Sequence, residues 1–234
     1  MATNGLSNLF GKGTNILRVC LARALSQKIK KLGDNILNRL ILDNNGLKDK
    51  DFARILIGIG QLLEIKSIVY IRNEFLFKSA EAIRPLITTN SVPHNLEELR
   101  LVNCKISAQA TTAVLDALMH RSCLKKLGLV NACLKEPSCL KKLIQFVRGS
   151  RYLIDLDISW NGLKSGNIMD LMDLISENRQ LQYLNISQNN LIEKGDMSLE
   201  RRGANTGEIK TDDEIKKEIA AILVKMEKGH FTLS

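Results

Sequence analysis

The chain carries a pattern that recurs six times and leaves few folds open to it. Each copy has five fixed positions in the form LxxLxLxxN/CxL: four are apolar, usually Leu or Ile, and the fourth in order is Asn, Cys or Ala. The copies begin at residues 37, 65, 96, 124, 153 and 181, so their starts lie 28, 31, 28, 29 and 28 residues apart. Six matches at one period indicate stacked structural repeats, each too small to bury a core alone.

Two periodicities alternate within every copy. The LxL segment alternates in steps of two, which predicts a short strand with one face buried. Between strands the apolar spacing changes to about 3.6 residues, which predicts helices. We expect them over Asp49–Leu63, Ser107–His120, Pro137–Val147 and Ser165–Asn178. A further helix over Ser79–Ile87 contains Pro85 and is expected to be short or irregular.

Copies of 28 to 31 residues with a full helix resemble the ribonuclease-inhibitor type of leucine-rich repeat. The phrases LDISWNGL (156–163) and LNISQNNL (184–191) carry the resemblance most specifically. It implies an α/β solenoid, or horseshoe, with a parallel sheet on the concave face and helices on the convex face. It also implies a buried ladder of Asn and Cys side chains that bond to turn backbones. Ala132 cannot take part, so the ladder should be weakest there, with Asn131 or Cys133 as candidates to compensate.

The ends of a stacked core need capping, which sets the expected domain organisation. We predict an extended or disordered segment over 1–13, a helical N-terminal cap over 14–35 and six repeats over 36–192. A loose polar insertion is expected over 193–211, and a C-terminal helix over 212–234 that either caps the stack or binds a partner.

Composition bears on compartment and chemistry. The first twelve residues are polar, and no stretch is long and apolar enough for a membrane span, so we expect no secretory signal, no membrane association and a cytoplasmic protein. The basic, amphipathic segment 15–31 keeps a mitochondrial presequence as the minor alternative. The five cysteines are irregularly spaced, which indicates reduced thiols rather than a disulfide framework.

The sequence gives no sign of catalysis. GKGT (11–14) departs from the phosphate-loop motif because Gly13 follows Lys12. The three histidines are scattered, with no ligand-like spacing to each other or to the cysteines. We therefore expect no enzyme activity, no catalytic residues, no cofactor and no metal.

A repeat stack offers partners its exposed strand face. Apolar residues there form an expected contact column, and Trp160 stands at its edge, although β-branched residues also simply suit strands and Trp160 could pack on a neighbouring turn. The predicted partner-binding residues of this face are Ile41, Val69, Ile71, Arg100, Val102, Val130, Asp157, Trp160 and Tyr183.

Charge marks a second candidate surface. The chain has a net charge of +9, and residues 121–152 hold eight basic groups against one acid. We predict a basic ridge that binds an acidic protein surface; the alternative is a merely solvated face. Nucleic acid is not expected, because aromatic side chains are not interleaved with the cations. The ridge comprises Arg121, Lys125, Lys126, Lys141, Lys142, Arg148 and Arg151.

The leading functional hypothesis is a non-enzymatic scaffold or adaptor subunit of a larger intracellular hetero-complex. Similar repeats occur in cytoskeletal and ciliary subunits, so a ciliary, axonemal or cytoskeletal assembly is the preferred setting. Two alternatives follow from the same resemblance. One is a regulator of a small GTPase, similar to Ran GTPase activators, and the other is an inhibitor that binds a target enzyme on the concave face.

Overall fold

A computed structural model gives the fold of the chain and describes residues 38–59, 65–88, 96–120, 123–164, 166–167, 170–171, 178, 180–190 and 231–232. Within these ranges, strands and helices alternate along the sequence. The elements are β1 (Arg39–Asp43), α1 (Asp49–Ile59), β2 (Ser67–Ile71), β3 (Glu74–Phe75), α2 (Phe77–Thr88), β4 (Glu98–Val102), β5 (Lys105–Ile106), α3 (Ala108–Met119), β6 (Lys126–Val130), α4 (Pro137–Gly149), β7 (Asp155–Asp157), β8 (Tyr183–Asn185) and β9 (Phe231–Thr232).

One strand from each of the six copies enters a single parallel sheet in sequence order. Its order is β1-β2-β4-β6-β7-β8-β9, and every neighbouring pair is parallel. The small pair β3 and β5 forms a second parallel sheet just beyond the main strands. Equivalent leucines of the pattern are register partners, as Leu40, Ile68, Leu99, Leu127, Leu156 and Leu184 show. The protein is therefore an α/β structure with a parallel sheet.

The core lies between this sheet and one layer of helices. Alternate strand side chains, such as Leu99 and Leu101, are buried against helix residues such as Val114 and Leu115. Neighbouring helices α1 to α4 pack on one another in sequence order. The other face of the sheet carries no helix among the described residues, and we call it the open face.

Aromatic side chains fill the core at its N-terminal side. Phe52 of α1 stacks on Tyr70 of β2 with ring centroids 3.7 Å apart, and Phe75 packs at an angle to both rings. The Tyr70 hydroxyl donates to the Glu74 carbonyl at 3.1 Å, which satisfies its polar end. Burial in this apolar setting raises the pKa of the Tyr70 phenol.

Side chains of the predicted ladder join successive units. Asn73 donates to the carbonyls of Leu42 and Ile71, and its oxygen accepts from the Leu47 amide. Cys104 donates to the Tyr70 carbonyl in the same way. Asn161 and Asn189 repeat the arrangement in the fifth and sixth units, where they bond to strand carbonyls and to amides of the preceding unit. The predicted ladder is confirmed at these four positions.

The fourth unit interrupts the ladder, as expected, because Ala132 has no polar side chain. Both predicted substitutes bond to the preceding unit, although at other atoms: the Asn131 side-chain amide donates to Asn103 and the Cys133 thiol donates to the Ile106 carbonyl, each at 3.4 Å. The Thr111 hydroxyl also donates to the Ala132 carbonyl at 2.9 Å and so links the third unit to the fourth. The link from the fourth unit to the fifth is regular, because the Ala132 amide donates to Asn161 at 2.7 Å.

A second polar link caps one helix from the preceding unit. Asp49, the first residue of α1, accepts hydrogen bonds from the amides of Leu76, Lys78 and Ser79 at 2.8 to 3.0 Å. These amides belong to the first turn of α2 or precede it, where no intrahelical acceptor exists. A buried carboxylate of one unit thus caps the first turn of the helix of the next.

The helix that contains Pro85 is longer than predicted. It runs for 12 residues, from Phe77 to Thr88, with Pro85 inside it. Proline costs a helix interior about 3 kcal/mol, but Pro85 is exposed while Ile83, Leu86 and Ile87 are buried. Burying each such side chain contributes about 1.5–3 kcal/mol, which offsets the loss.

The remaining helix predictions agree where residues are described. The helices α1, α3 and α4 cover the predicted positions, Ser107 caps α3 through the Ala110 amide, and Pro137 opens α4. Residues 166–167 and 170–171 are helical within the predicted 165–178 segment. The predicted segments 1–13, 14–35 and 193–211 lie outside the described residues. So does most of the predicted helix over 212–234, but its end is wrong, because Phe231–Thr232 is a short strand that pairs with β8.

Candidate protein-interaction surface

Side chains of the open face fall into columns because the strands are in register. The first column contains Arg39, Ser67, Glu98, Lys126, Asp155 and Tyr183. The second contains Ile41, Val69, Arg100, Gly128, Asp157 and Asn185. The third contains Asp43, Ile71, Val102 and Val130. Register partners in adjacent strands are about 4.8 Å apart, so each column is a continuous row of side chains.

A fourth row, which we call the rim column, follows the strands where the chain turns away. It consists of Asn44, Arg72, Asn103, Asn131, Trp160 and Gln188, all of them exposed and all with φ between 49° and 61°. Backbone hydrogen bonds keep the row regular, since the amide of each of the first five donates to the next unit, as Trp160 does to the Ser187 carbonyl at 3.1 Å. Each residue thus has a left-handed backbone.

Trp160 is costly to place in the rim column. Asn tolerates the left-handed region, whereas a bulky residue there is an outlier that costs about 1 kcal/mol. The ring is also 58% exposed, so little burial compensates for this conformation. Strain of this kind concentrates where a protein makes functional contacts.

A charge network crosses the middle of the open face. Arg100 bonds to Glu98 at 2.9 Å and to Asp155, two strands away, at 2.6 Å. Ser67 also donates to Glu98, at 2.5 Å. Partial burial favours the neutral form of Glu98, but the Ser67 and Arg100 hydrogen bonds outweigh it and lower the Glu98 pKa. The carboxylate is therefore held ionised within the network.

Gly128 provides the path for the Arg100 side chain between these strands. A Cβ added at Gly128 would come within 3.0 Å of Arg100 Cγ and 3.3 Å of its Cβ. Any larger residue would therefore push the guanidinium stem away from Asp155. The glycine is what lets one arginine span three adjacent strands, β4, β6 and β7, over a flat surface.

The expected exposed apolar column does not hold along its whole length. Val69 and Val130 are only 7% exposed, while Ile71 and Val102 are half-buried. Close spacing of parallel strands explains this, because each valine is shielded by its register partners on the adjacent strands. Ile41, at 43%, is the well-exposed aliphatic side chain of these columns, and it lies on β1 at the N-terminal side.

The other predicted residues of this face differ in availability. Tyr183 is exposed at the start of β8, and Trp160 follows β7. Arg100 is bound within the charge network, and Asp157 accepts from the amide and hydroxyl of Ser159 at 3.1 and 2.7 Å. The exposed aromatic residues, rather than the valines, are therefore the more accessible side chains of the open face.

The predicted basic ridge is divided among three places. Lys126 projects from the open face, Lys141 and Arg148 are exposed on α4, and Arg151 is exposed in the turn that follows. Lys125 pairs with Glu97 at 2.9 Å, and Lys142 pairs with Asp116 of α3. Arg121 lies outside the described residues. The structure therefore does not unite these cations on one face, and two of them are neutralised by neighbours.

Sequence reasoning missed two features of the surface. The rim column had a signal, since Asn stands directly before the ladder position in three copies, at 44, 103 and 131. The second feature is on the helix layer, where Ile57 and Phe77 are among the most exposed large apolar residues. Ile57 lies off the buried face of its helix, which the sequence shows directly.

Two kinds of structural feature are absent from the described ranges. They contain no group of three or more His, Cys, Asp or Glu arranged to hold a metal ion. The cysteines described (Cys104, Cys123, Cys133 and Cys139) are free thiols. No helix in these ranges is both long and apolar enough to cross a membrane.

Comparison with known proteins adds evidence on the fold. No family model matches the chain, and no curated protein does. Among solved structures, the actin-binding site 2 of leiomodin-1 superposes with a TM-score of 0.53 at 15% sequence identity. The match covers 66% of this chain and 87% of that one. At this identity the likeness concerns the α/β fold.

Proposed function

We propose that the chain is a leucine-rich-repeat protein of the ribonuclease-inhibitor type that acts as a non-enzymatic interaction subunit of a cytoskeletal assembly. The open face would hold the partner, with Trp160 as the principal anchor and Tyr183 as a second aromatic contact. The stacked units and their open sheet support a binding role, because a stack of this kind presents an extended surface. The fold likeness to an actin-binding region supports the cytoskeletal setting.

The observation that carries the proposal is that Trp160 is unfavourable in two ways. Its apolar ring is exposed to solvent, and its left-handed backbone disfavours any bulky residue. Asn, present in the same column at 44, 103 and 131, would remove both costs. Trp is enriched among the residues that dominate binding energy, because it contributes a large, rigid contact area. A partner that buries this ring would account for its presence.

The charges of the open face indicate how the partner is oriented. Arg39, Glu98, Arg100 and Asp155 form ion pairs with one another, so the middle of the face is electrically balanced. Lys126 stands in the same region with no carboxylate partner among the described residues. Specific contact is therefore expected from aromatic burial, with charge selecting the register of the partner.

Co-sedimentation with actin filaments tests the proposal. The wild-type chain should pellet with filaments, and Trp160→Asn should weaken binding by about tenfold or more, as for a hot-spot residue. Trp160→Asn should still fold, since it replaces a strained residue by one suited to this conformation. Gln188→Asn is the matched control: it makes the same backbone change in the adjacent unit and should leave binding unchanged.

The outcomes separate the parts of the proposal. If wild-type protein stays in the supernatant at filament concentrations of tens of micromolar, actin is not the partner, and the cytoskeletal assignment loses its support. If Trp160→Asn pellets as well as wild type, the aromatic rim is not the binding surface.

A further inference from the structure

The helix layer contains an apolar groove that the open-face proposal does not use. It lies between α1 and α2, with Ile57 and Phe77 on its two sides. Ile57 is 61% exposed and Phe77 46% exposed, while the small side chains of Ala53 and Ala82 line the groove between the helices. Large apolar side chains exposed side by side on a surface mark a site that excludes water on contact.

The rim of the groove is positively charged. Lys50 and Arg54 of α1 and Lys78 of α2 line it, together with one acid, Glu81. Glu81 is paired with Arg84 at 3.1 Å, and Arg54 lies 4.0 Å from the buried Asp51. Lys50 and Lys78 have no carboxylate partner in the part of the chain that the structure describes. The groove therefore combines an apolar floor with cations that are available on both sides.

We propose that this groove binds an amphipathic helix of a partner protein, with an apolar stripe flanked by Asp and Glu. A groove between two packed helices accepts a third helix through residues spaced i, i+3, i+4 and i+7. The apolar stripe covers Ile57 and Phe77, and the flanking carboxylates pair with Lys50 and Lys78. This site is separate from the open face, so the chain can hold two partners at once.

Charge also distinguishes this occupant from segments of the chain itself. Residues 14–31 carry five cations, at Arg18, Arg23, Lys28, Lys30 and Lys31, and no acid, so they do not complement a basic rim. Residues 212–228 carry five acids and four lysines, so their excess of negative charge is too small to complement the basic rim. A strongly acidic helix from another protein fits better than either.

Titration with designed peptides tests the groove. The probe is an 18-residue helix with Leu at i, i+3, i+4 and i+7 and Glu on both flanks, labelled for fluorescence anisotropy. Its counterpart has Lys in place of every flanking Glu. The full-length chain should bind the acidic peptide at least about tenfold more tightly, and the preference should shrink as salt rises toward 1 M. Methyl and aromatic NMR shifts should concentrate at Ile57 and Phe77.

Variants on the groove distinguish it from nonspecific attraction. Ile57→Gln should weaken acidic-peptide binding by about tenfold, whereas Met119→Gln, the same kind of change at an exposed apolar position on α3, should leave it unchanged. The double variant Lys50→Glu/Lys78→Glu should reverse the preference toward the basic peptide. Because all four positions are exposed or project to the rim, the variants are expected to fold, which circular dichroism checks.

Several results would overturn the proposal. Equal affinity for both peptides, no reversal in the charge-swapped variant, or NMR shifts centred on the open face would each do so. Light scattering tests whether the chain dimerises through the groove. If the wild type is a dimer and Ile57→Gln is a monomer, a second copy of the chain occupies the groove and the proposal is wrong. If the wild-type chain does not bind the acidic peptide but does pellet with actin filaments, this site alone is refuted and the proposed function stands.

Discussion

Replacing Asn161 by Ala removes the most connected side chain of the ladder. Its amide nitrogen donates to the carbonyls of Leu129, Ile158 and Ser159 at 2.7 to 3.0 Å. Its oxygen accepts from the amides of Ala132 and Leu134 at 2.7 and 3.3 Å. The shortened side chain could make none of these five bonds.

The expected loss follows from counting the groups that are left without another partner. The carbonyls of Ile158 and Ser159 keep other donors, from Asn189 and from the Asn131 amide. The buried amides of Ala132 and Leu134 lose their acceptor, and the Leu129 carbonyl loses its Asn161 donor. An unsatisfied buried group costs about 1–3 kcal/mol, so these three groups together should lower the free energy of unfolding of Asn161→Ala by at least about 3 kcal/mol.

The fourth unit makes this loss larger. Ala132 already contributes no ladder bond, so its amide depends on Asn161 alone for the link to the next unit. In Asn161→Ala, two successive ladder positions lack a polar side chain, and only backbone hydrogen bonds such as that from the Asn131 amide to the Ser159 carbonyl still join the two units on this side.

Urea unfolding followed by far-ultraviolet circular dichroism measures the effect. Fluorescence is unsuitable, because the emission of Trp160 would respond directly to the substitution of its neighbour Asn161. Asn190→Ala is the matched control, since this exposed residue has no ladder role, and its stability change should stay within about 0.5 kcal/mol. A loss below about 1 kcal/mol for Asn161→Ala at an unchanged m-value would refute the reasoning.

Three other substitutions or reactions test separate features. Asp49→Ala should lower the free energy of unfolding by about 2–4 kcal/mol in urea titration, because it strips the acceptor from three amides at the start of α2; a loss typical of surface sites would contradict the capping role. Gly128→Ala should displace Arg100, and a crystal structure should show its bridge to Asp155 lengthened or broken. Burial raises the pKa of the Cys104 thiol to about 11, so in native protein at pH 8 Cys104 should react with iodoacetamide far more slowly than the exposed Cys123; mass spectrometry of timed samples would show comparable rates if this is wrong.

The strands and the ladder could be predicted because their causes are local. The LxL spacing decides which side chains are buried, and an Asn at a fixed offset decides where the turn is stabilised; both repeat often enough to separate signal from chance. The length of α2 could not be predicted, because the burial that offsets Pro85 comes from residues of other units. Tertiary packing thus outweighs the low helix propensity of Pro85 in α2.

The candidate surface was less predictable, because it depends on contacts between strands. The sequence directs attention to Trp160 and Tyr183, which are both exposed, yet it gives no means of knowing that Val69 and Val130 are shielded by their neighbours. The path of Arg100 over Gly128 to Asp155 requires the register of three strands. Side chains 55 residues apart meet there, a separation that no local pattern specifies.

The rim column has a consequence for how sequences of this kind drift. At Asn44, Asn103 and Asn131 the residue present is one that the left-handed backbone accepts readily, whereas Trp160 is not. Substitution of a bulky residue at such a site by Asn or Gly relieves the strain of the left-handed backbone, so these changes are favoured where no partner requires the larger side chain. A lineage that had lost the partner of this face would therefore lose the tryptophan early, while its leucines remained. The presence of Trp160 in descendants becomes a marker of whether the interaction is still under selection.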